Sequence, residues 1–417
     1  MNARIKSKAL KTGRLGRLGS MARAGFGTAA AVLRGSGAGL EQAVERLGEL
    51  RGLGTKVGQM AGLVEANLSP EVRAAVGPAL AKLRAQAMSS PYEAVARIFE
   101  EDLGAAPEAL FSRFSREPFA SASLGQVHDA HHTDGRRLAI KVQHPGIQQA
   151  FAHDLRNVTA LGGVAAAFIM PDGQSQRFIA GVRDGFLAEL DYLHEADNLR
   201  LFCGLVDGDP DLALPVLVPE RSSGRILSTT YLSGVPVEEA QGYGDGTRRR
   251  QAAAIRRFLL SSLADHGVLY ADAHAGNFLF REDGTVGVLD FGSVFRFDDD
   301  QRVAFAAMRD ALAAADRDSF AHAVGQALGI DNPRAARAIA SVQWIAIGGL
   351  VRGEPITAEH VKAITTAAGE MKKQLFREKF TLPFFMPFLM RTMLAANALL
   401  AALHAPESGA LGQLVRT

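Results

Sequence analysis

Three polar side chains have the types and the spacing that phosphoryl transfer requires. Asp272 precedes Asn277 by five residues, and Asp290 follows both in "YADAHAGNFLFREDGTVGVLDFGSV". Phosphoryl transfer needs a carboxylate beside the attacking group, together with an amide and a second carboxylate that converge on Mg²⁺. A short loop brings Asp272 and Asn277 together, and a hairpin turn at Asp283 and Gly284 returns Asp290 to them. The stretch therefore predicts a magnesium-nucleotide site.

A lysine in an apolar strand supplies a cation for the same chemistry. Lys141 lies in "LAIKV", where burial of an unpaired ammonium group would be costly. Kinases pair such a lysine with a helix glutamate and with the nucleotide phosphates. The segment "LAELDYLHEADNL" offers Glu189, Asp191 and Glu195 for this role, and we predict Glu195 to be the partner.

The sequence upstream of Lys141 lacks the glycine-rich loop that usually covers the phosphates. The stretch "FASASLGQVH" occupies the expected position. Its residues in place of glycine are Ala120, Ser121, Ala122 and Ser123. Gly-x-Gly strings occur at 35–39, 52–54 and 242–246, but none lies between two strands upstream of a lysine, so they do not predict a phosphate loop.

Hydrophobic periodicity places these residues in an α+β chain. The 417 residues suffice for two or three packed units of about 150 residues each. We predict a basic arm at 1–39, a helical extension at 40–105, a sheet-containing lobe at 106–233 and a helical lobe at 234–417. The helical extension shows cap and proline signals at Ser69–Pro70 and Ser90–Pro91. The second of these predicts a helix that ends at Gly104.

Turn signals predict the strands. Asp134–Gly135 joins two short strand-like runs, and a second hairpin is expected at 278–291. The stretch "VLVPERSSGRILSTTYLSG" predicts strands on both sides of Gly224. Residues 147–202 and most of the chain after Gly234 have helical patterns, and Asp298–Asp300 is expected to cap a helix.

Composition excludes several classes of protein. A hydrophobic content of 47% with 22% charged residues is typical of a folded protein with a sizeable core. The single cysteine, Cys203, excludes an internal disulfide and a thiolate metal cluster, and it favours a reducing compartment. His128, His131 and His132 lack a supporting second cluster, so we interpret them as polar strand residues, not metal ligands.

The N-terminal arm is basic. Eight of the 46 Lys and Arg residues lie within residues 1–40, which contain no acid, so the rest of the chain carries 38 basic against 44 acidic residues. Cations alternate with small and apolar residues there, which favours an anionic membrane surface over nucleic acid as the partner; a solvated tail remains an alternative. The arm also resembles a transit peptide but lacks the apolar region of a secretory signal.

One apolar segment is long enough to span a bilayer. Residues 382–403 include Arg391 near the middle and two prolines near the start. A charge at the centre of a membrane helix costs about 2.5–3.5 kcal/mol on insertion scales. We therefore predict a buried closing helix and no transmembrane span.

Six motifs in sequence order resemble the UbiB-like atypical kinase family, which is linked to the biosynthesis of coenzyme Q. They are "GTKVGQMAGL", "FASASLGQVH", "AIKVQHPG", "ELDYLHEADN", "DAHAGNFLF" and "LDFG", and the resemblance covers roughly residues 10–405. It implies a two-lobed protein-kinase-like fold with an N-terminal all-helical extension. It also implies ATP or ADP and Mg²⁺ as cofactors.

The resemblance assigns roles residue by residue. Lys56 and Gln59 of the extension would cover the site where a kinase binds its peptide substrate, facing Glu189 and Asp191. The alanine- and serine-rich loop would cover the nucleotide, Lys141 would pair with Glu195, and Asn277 and Asp290 would hold Mg²⁺. Asp272 would be the catalytic-loop acid.

The chain departs from the family pattern in the alanine-rich loop, the hinge strand and the catalytic loop. The departures are Ser121 in place of alanine, Ala273 and Ala275 in place of proline, and Thr230 in place of a hinge acid. Tyr270 and Ala271 replace the His-Arg pair of protein kinases. These departures leave the nucleotide preference and the reaction rate open.

The function implied is an atypical kinase or ATPase that supports ubiquinone or related isoprenoid lipid metabolism. The extension would inhibit protein phosphorylation. A nucleotide-gated lipid-binding chaperone or scaffold is the alternative. The expected partners are ATP, an isoprenoid or quinone-type lipid or an anionic membrane surface, and proteins of quinone biosynthesis, with no nucleic acid. A cytoplasmic location is expected, with peripheral contact at the inner membrane as an open alternative.

Overall fold

The computed structural model describes residues 90–121, 124–148, 190–352, 358–377, 383 and 385–404. The predicted basic arm lies outside these residues, and so does the helical extension before residue 90. The chain divides into two compact units, and the division falls within the first helix and within two strands of the first sheet. In the described part, one unit contains 90–98, 115–121, 124–128 and 141–148, and the other contains the rest.

Helices make up most of the described chain. The α-helices are α1 (Tyr92–Leu103), α2 (Pro107–Leu110), α3 (Tyr192–Leu205), α4 (Val237–Ala240), α5 (Asp245–Ala264), α6 (Asp299–Ala313), α7 (Arg317–Leu328), α8 (Pro333–Arg352), α9 (Ala358–Arg377) and α10 (Met386–His404). Short 3₁₀ helices lie at Pro219–Arg221 and Ala275–Asn277. The mixture of these helices with three small sheets confirms the predicted α+β class.

Ten short strands form the three sheets of the described residues. They are β1 (Arg113–Phe114), β2 (Ala120–Ser121), β3 (Gly125–His131), β4 (Arg137–Gln143), β5 (Leu212–Ala213), β6 (Ile226–Thr230), β7 (Val268–Tyr270), β8 (Phe278–Phe280), β9 (Val286–Val288) and β10 (Val294–Arg296). The first sheet has the order β1–β3–β4–β6, with β2 paired to β3. The second sheet pairs β7 with β10, and the third has the order β5–β9–β8.

The predicted turn signals and the Asp298 cap are confirmed where the structure describes them, whereas the Ser90 hydroxyl contacts Nδ1 of His144 at 2.9 Å and does not cap α1. α1 begins directly after Pro91 and ends before Gly104. Gly135 and Gly284 lie in the two predicted hairpin turns at φ of 90° and 94°, a backbone conformation that glycine adopts without steric cost. The Asp298 carboxylate caps α6 by accepting a hydrogen bond of 2.8 Å from a backbone N–H of the first turn.

Two predictions of local structure need correction, and a third is described only in part. The stretch 216–219 is not a strand, because Pro219 opens a 3₁₀ turn and only Leu217 makes an isolated bridge, to Thr229. Strands β7 and β10 lie in a region that was predicted to be helical outside the 278–291 hairpin. The helix predicted at 147–202 is described only from residue 190, and there α3 continues to Leu205.

The apolar segment near the C-terminus packs in the core of the larger unit, as predicted. Leu389, Met393 and Leu399 of α10 are at most 2% exposed. The Asn397 amide donates a hydrogen bond of 2.8 Å to the Ala346 carbonyl of α8. In the part of the chain that the structure describes, no helix combines the length and the apolar character that a bilayer crossing needs.

A buried polar network joins β3 to neighbouring segments of the smaller unit. The Gln126 side-chain oxygen accepts a hydrogen bond from the Ser90 N–H at 2.6 Å, and its nitrogen lies 2.9 Å from Nε2 of His128. Nδ1 of His128 lies 2.8 Å from the Ser115 carbonyl. A carbonyl can only accept, so Nδ1 carries the proton and Nε2 accepts from Gln126. His128 is thus a polar strand residue, as predicted, and burial lowers its pKa.

Candidate functional site

The catalytic loop predicted from the sequence follows β7 directly. Asp272 lies two residues beyond the strand, and the His274 imidazole caps the 3₁₀ turn that ends at Asn277. The Asn277 amide nitrogen donates to the Asp272 backbone carbonyl at 2.8 Å and to its carboxylate oxygen Oδ2 at 3.2 Å. The five-residue spacing therefore closes a small loop in which the amide holds the carboxylate.

The predicted hairpin brings Asp290 to the end of this loop. β8 pairs with β9 in a register that places Phe278 opposite Val288. The next pair along the hairpin is a backbone hydrogen bond of 3.0 Å from the Leu289 N–H to the Asn277 carbonyl. Asp290 follows immediately, and its Oδ1 accepts a hydrogen bond of 2.9 Å from the Gly292 N–H. The sequence prediction that a hairpin returns Asp290 to the loop is confirmed.

Helix α3 adds a buried carboxylate beside the "DFG" segment. Glu195 lies in the first turn of α3 and is 5% exposed. A Cβ atom on Gly292 would lie 3.5 Å from Oε2 of Glu195 and 3.2 Å from Oδ1 of Asp290. A side chain here would therefore be tight against the Asp290 carboxylate and in van der Waals contact with Glu195. One turn further along α3, the Asn198 amide donates to the Phe291 carbonyl at 3.0 Å and ties the segment to the helix.

The Asp272 carboxylate has contacts on both oxygens. Oδ1 forms an ion pair with Nη2 of Arg391, which comes from α10. Oδ2 accepts from Asn277 and lies 3.6 Å from Nε2 of His274. Nδ1 of His274 accepts a hydrogen bond from the Gly276 N–H at 3.0 Å, so in a neutral imidazole the proton lies on the nitrogen that faces Asp272.

Tyr270 is the last residue of β7, two positions before Asp272, and is 1% exposed. Its ring contacts those of Phe202, Phe258 and Phe291, with centroids 5.2–5.8 Å apart. Among the described residues its hydroxyl has no partner with hydrogen-bonding geometry, although the Asn277 side chain lies close enough to act on its pKa.

The acids of the site act on this hydroxyl. Burial raises the pKa of Tyr270 well above its usual value, and the carboxylates of Asp290, Asp272 and Glu195 raise it further. A neutral phenol therefore feels the negative charge of three carboxylates, which a cation or a hydrogen-bond donor at the site would offset.

The same side chains fit a magnesium ion. Because the Asn277 nitrogen is engaged with Asp272, its amide oxygen is the atom left to bind a metal. Mg²⁺ is bound by one or two carboxylates together with substrate phosphates, so Asn277 and Asp290 suffice. No group of three or more His, Cys, Asp or Glu side chains within the described ranges could hold a metal ion by itself.

The remaining predicted residues lie apart from this group or outside the described residues. Lys141 lies on β4, and Ala120 and Ser121 form β2. Lys141 and Glu195 belong to different units, and their pairing stays a prediction. Asp191 is the N-cap of α3, where Oδ1 accepts from the Leu193 N–H at 3.0 Å. The residues outside the described part are Lys56, Gln59, Ala122, Ser123 and Glu189.

The structure adds three side chains that the motifs did not assign. The sequence pattern identifies Arg391 only as a charge that argues against a membrane span. A lone arginine in an apolar helix needs a counter-charge, and this was the available signal. The sequence pattern identifies Tyr270 only as a departure from the His-Arg pair of protein kinases. The signal for its role was a polar residue at the end of a buried strand. Asn198 had none, because its contact is to a backbone carbonyl 93 residues away.

A protein-family model matches the chain. Residues 82–324, more than half of the chain, match the family model described as the ABC1 atypical kinase-like domain. The match includes β3, β4, α3, the catalytic loop and the "DFG" segment.

Two relatives named atypical kinases are similar to this chain. The chain is 27% identical to the atypical kinase COQ8, mitochondrial, of Saccharomyces cerevisiae, over 73% of this chain and 65% of that one. It is 28% identical to the atypical kinase COQ8B, mitochondrial, of Rattus norvegicus, over 67% of this chain and 53% of that one. The chain thus spans between about half and two thirds of the length of these relatives.

A solved structure is similar over most of its length. The complex of Rv3197 with erythromycin from Mycobacterium tuberculosis superposes with a TM-score of 0.57 and 25% identity. The similarity covers 83% of this chain and 87% of that one. Together with the family match, it confirms the predicted kinase-like α+β fold.

Proposed function

Because the chain belongs to the ABC1 atypical kinase-like family, we propose that it binds Mg-ATP and acts as an atypical kinase or ATPase. The observation that carries the proposal is the linkage of Asp272, Asn277 and Asp290. Two hydrogen bonds join the first two, and one backbone bond at Leu289 places the third beside them. This is the set of groups that phosphoryl transfer from a magnesium nucleotide requires.

The metal would be held by Asn277 and Asp290. Mg²⁺ neutralises the charge that develops on the phosphates during transfer. The Gly292 N–H fixes Oδ1 of Asp290, and Asp272 fixes the Asn277 amide, so both ligands are oriented before the nucleotide binds. Such preorganisation avoids the cost of rotating side chains during the reaction.

Asp272 would orient the attacking hydroxyl or water and accept its proton. Its carboxylate is about one fifth exposed, which leaves access for a small acceptor. Lys141 would pair with the phosphates and Glu195, and Ala120, Ser121, Ala122 and Ser123 would cover the nucleotide. These roles rest on the family resemblance and on the placement of Lys141 and Ala120 on β4 and β2.

The biological setting is the least direct part of the proposal. Support of ubiquinone or related isoprenoid lipid metabolism follows from the resemblance and from relatives named COQ8. A helical extension that covers the peptide site through Lys56 and Gln59 follows from the resemblance alone. Strong transfer of radiolabelled phosphate to a basic protein by the native chain would contradict that part.

The test uses Asp290→Asn, which removes one charge from the metal site and keeps the shape of the side chain. Bound ligand stabilises the native state by RT ln(1 + [L]/Kd), about 2.7 kcal/mol at a hundred times Kd. We expect the rise in melting temperature on addition of Mg-ATP to be nearly lost in this variant. Unchanged stabilisation would refute the site.

Asp298→Asn is the matched control. It also exchanges one carboxylate for an amide, but at the N-cap of α6, where asparagine caps equally well. This variant should keep the full response to Mg-ATP. Steady release of ADP by the native chain, without added protein, would favour an enzyme over a nucleotide-gated scaffold.

A further inference from the structure

The ion pair between Arg391 and Asp272 links the last described helix to the catalytic loop. The two residues are 119 positions apart, and both belong to the larger unit. Their side chains are 24% and 19% exposed, so the contact is largely shielded from solvent. From this contact we propose that Arg391 is a positioning residue, which holds the Asp272 carboxylate in the orientation that phosphoryl transfer needs. The inference rests on the proposed function.

The backbone of Arg391 is well anchored. Its neighbours Leu389 and Met393 are buried, and the ring of Phe388 lies 4.9 Å from that of Phe295 on β10. β10 pairs with β7, the strand that leads into Asp272. The guanidinium group and the carboxylate are therefore carried by elements that pack on each other, and the contact does not depend on a free surface side chain.

The two oxygens of the Asp272 carboxylate are held by different donors. The Asn277 amide fixes Oδ2, and this bond alone would allow the carboxylate to tilt about it. Arg391 fixes Oδ1 from α10, so the plane of the carboxylate is defined by two donors. Both bonds end on a carboxylate and are charge-assisted, but only Arg391 adds a full positive charge on the donor, so the arginine is the stronger of the two restraints.

Charge supplies a second reason for an arginine at this place. Asp272, Asp290 and Glu195 all act on the Tyr270 hydroxyl, and repulsion among them favours movement of Asp272 away from the group. The Arg391 guanidinium group, paired with Oδ1 of Asp272, offsets part of this repulsion and gives the carboxylate a fixed partner. Arginine keeps its charge under all ordinary conditions, whereas a lysine is a shorter point charge without the planar fork.

The kinetic test compares Arg391→Gln, Arg391→Lys and the native chain in ADP release from Mg-ATP. A misplacement of a catalytic group by about 1 Å costs about 100-fold in rate. We expect Arg391→Gln to lower kcat by about this factor and to change KM for Mg-ATP by less than about twofold. Arg391→Lys should retain part of the rate because it keeps the charge.

A double-mutant cycle distinguishes an effect of Arg391 that acts through Asp272 from a general loss of structure. In an Asp272→Asn background, Arg391→Gln should lower kcat little further, since the group it positions has already been changed. Arg309→Gln is the matched control, because it removes an arginine that pairs with Asp265 on the surface of the same unit. It should leave kcat unchanged. An equal loss of kcat in both backgrounds would overturn the proposal.

Hydrogen exchange of residues 271–277 provides a readout that does not need activity. Arg391→Gln should increase exchange in this loop, and Arg309→Gln should not. Unchanged exchange would overturn the inference even if the native chain proves to be active. If the native chain releases no ADP but Arg391→Gln loses hydrogen-exchange protection in this loop, the role of the ion pair stands and the proposed function is refuted.

Discussion

At the scale of single residues, Tyr270 joins a closely packed ring to a buried hydroxyl group that has no hydrogen bond of good geometry to the described side chains. A buried polar group that lacks a hydrogen bond carries a desolvation cost of about 1–3 kcal/mol. Tyr270→Phe removes this group and keeps the ring contacts with Phe202 and Phe291. We therefore expect the nucleotide-free variant to gain about 1 kcal/mol in the free energy of unfolding, measured by urea denaturation.

Tyr243→Phe serves as the control, since the Tyr243 side chain is only partly buried at the edge of the core. Its stability should change little. A loss of stability in Tyr270→Phe would mean that the hydroxyl makes a hydrogen bond in solution. The site would then have a stronger polar network than the structure shows.

The site also shows which residues a sequence can predict. Asp272 and Asn277 lie five positions apart, and Asp290 follows across a hairpin with a clear turn signal, so local patterns were sufficient. Arg391 reaches Asp272 from 119 positions away. No local pattern encodes which acid such an arginine meets, because that depends on how α10 packs against β10.

At the scale of elements, a local turn signal decided which strands were predicted. β3 and β4 have seven residues each and a glycine turn between them, and the sequence predicted both. β7 and β10 have three residues each and pair with each other across the intervening hairpin. All three residues of β7 are buried, so it shows no alternation of polar and apolar residues. Such a strand cannot be distinguished from the end of the preceding helix.

The polar network on β3 predicts a pH dependence of stability. Burial lowers the pKa of His128 below its model-compound value of 6.5, so the native state keeps this imidazole neutral where the unfolded chain binds a proton. Below about pH 6.5 the unfolded state thus takes up more protons, and stability falls by up to about 1.4 kcal/mol per pH unit. Above that pH the contribution is fully present. Urea midpoints between pH 7.5 and about 5.5 measure the loss.

His128→Gln should lower the midpoint at neutral pH, because it disturbs the bonds to Gln126 and Ser115, but it should flatten the dependence on pH. His322→Gln, at an exposed histidine of α7, should leave the dependence as it is in the native chain. If the slope persists in His128→Gln, another group causes it.

At the scale of the whole molecule, charge is distributed unevenly along the chain. The net charge of +2 combines eight cations without an acid in residues 1–40 with an excess of acids in the rest. These first residues lie outside the described part, so the prediction of their partner depends on sequence alone. Small and apolar residues between the cations are typical of segments that lie on an anionic membrane surface.

The expected consequence is binding to anionic vesicles that salt weakens. Each cation near such a surface contributes about 1 kcal/mol, and screening shortens the range of the attraction from about 10 Å at 0.1 M salt to about 3 Å at 1 M. The full-length chain should co-sediment with vesicles that contain phosphatidylserine at the lower salt concentration and largely dissociate at the higher one. A variant with all eight arm cations replaced by glutamine keeps the length and the apolar residues of the arm, and it should remain in the supernatant with both anionic and neutral vesicles. Equal pelleting of both proteins at both salt concentrations would show that the arm is a solvated tail and that any membrane contact comes from another surface.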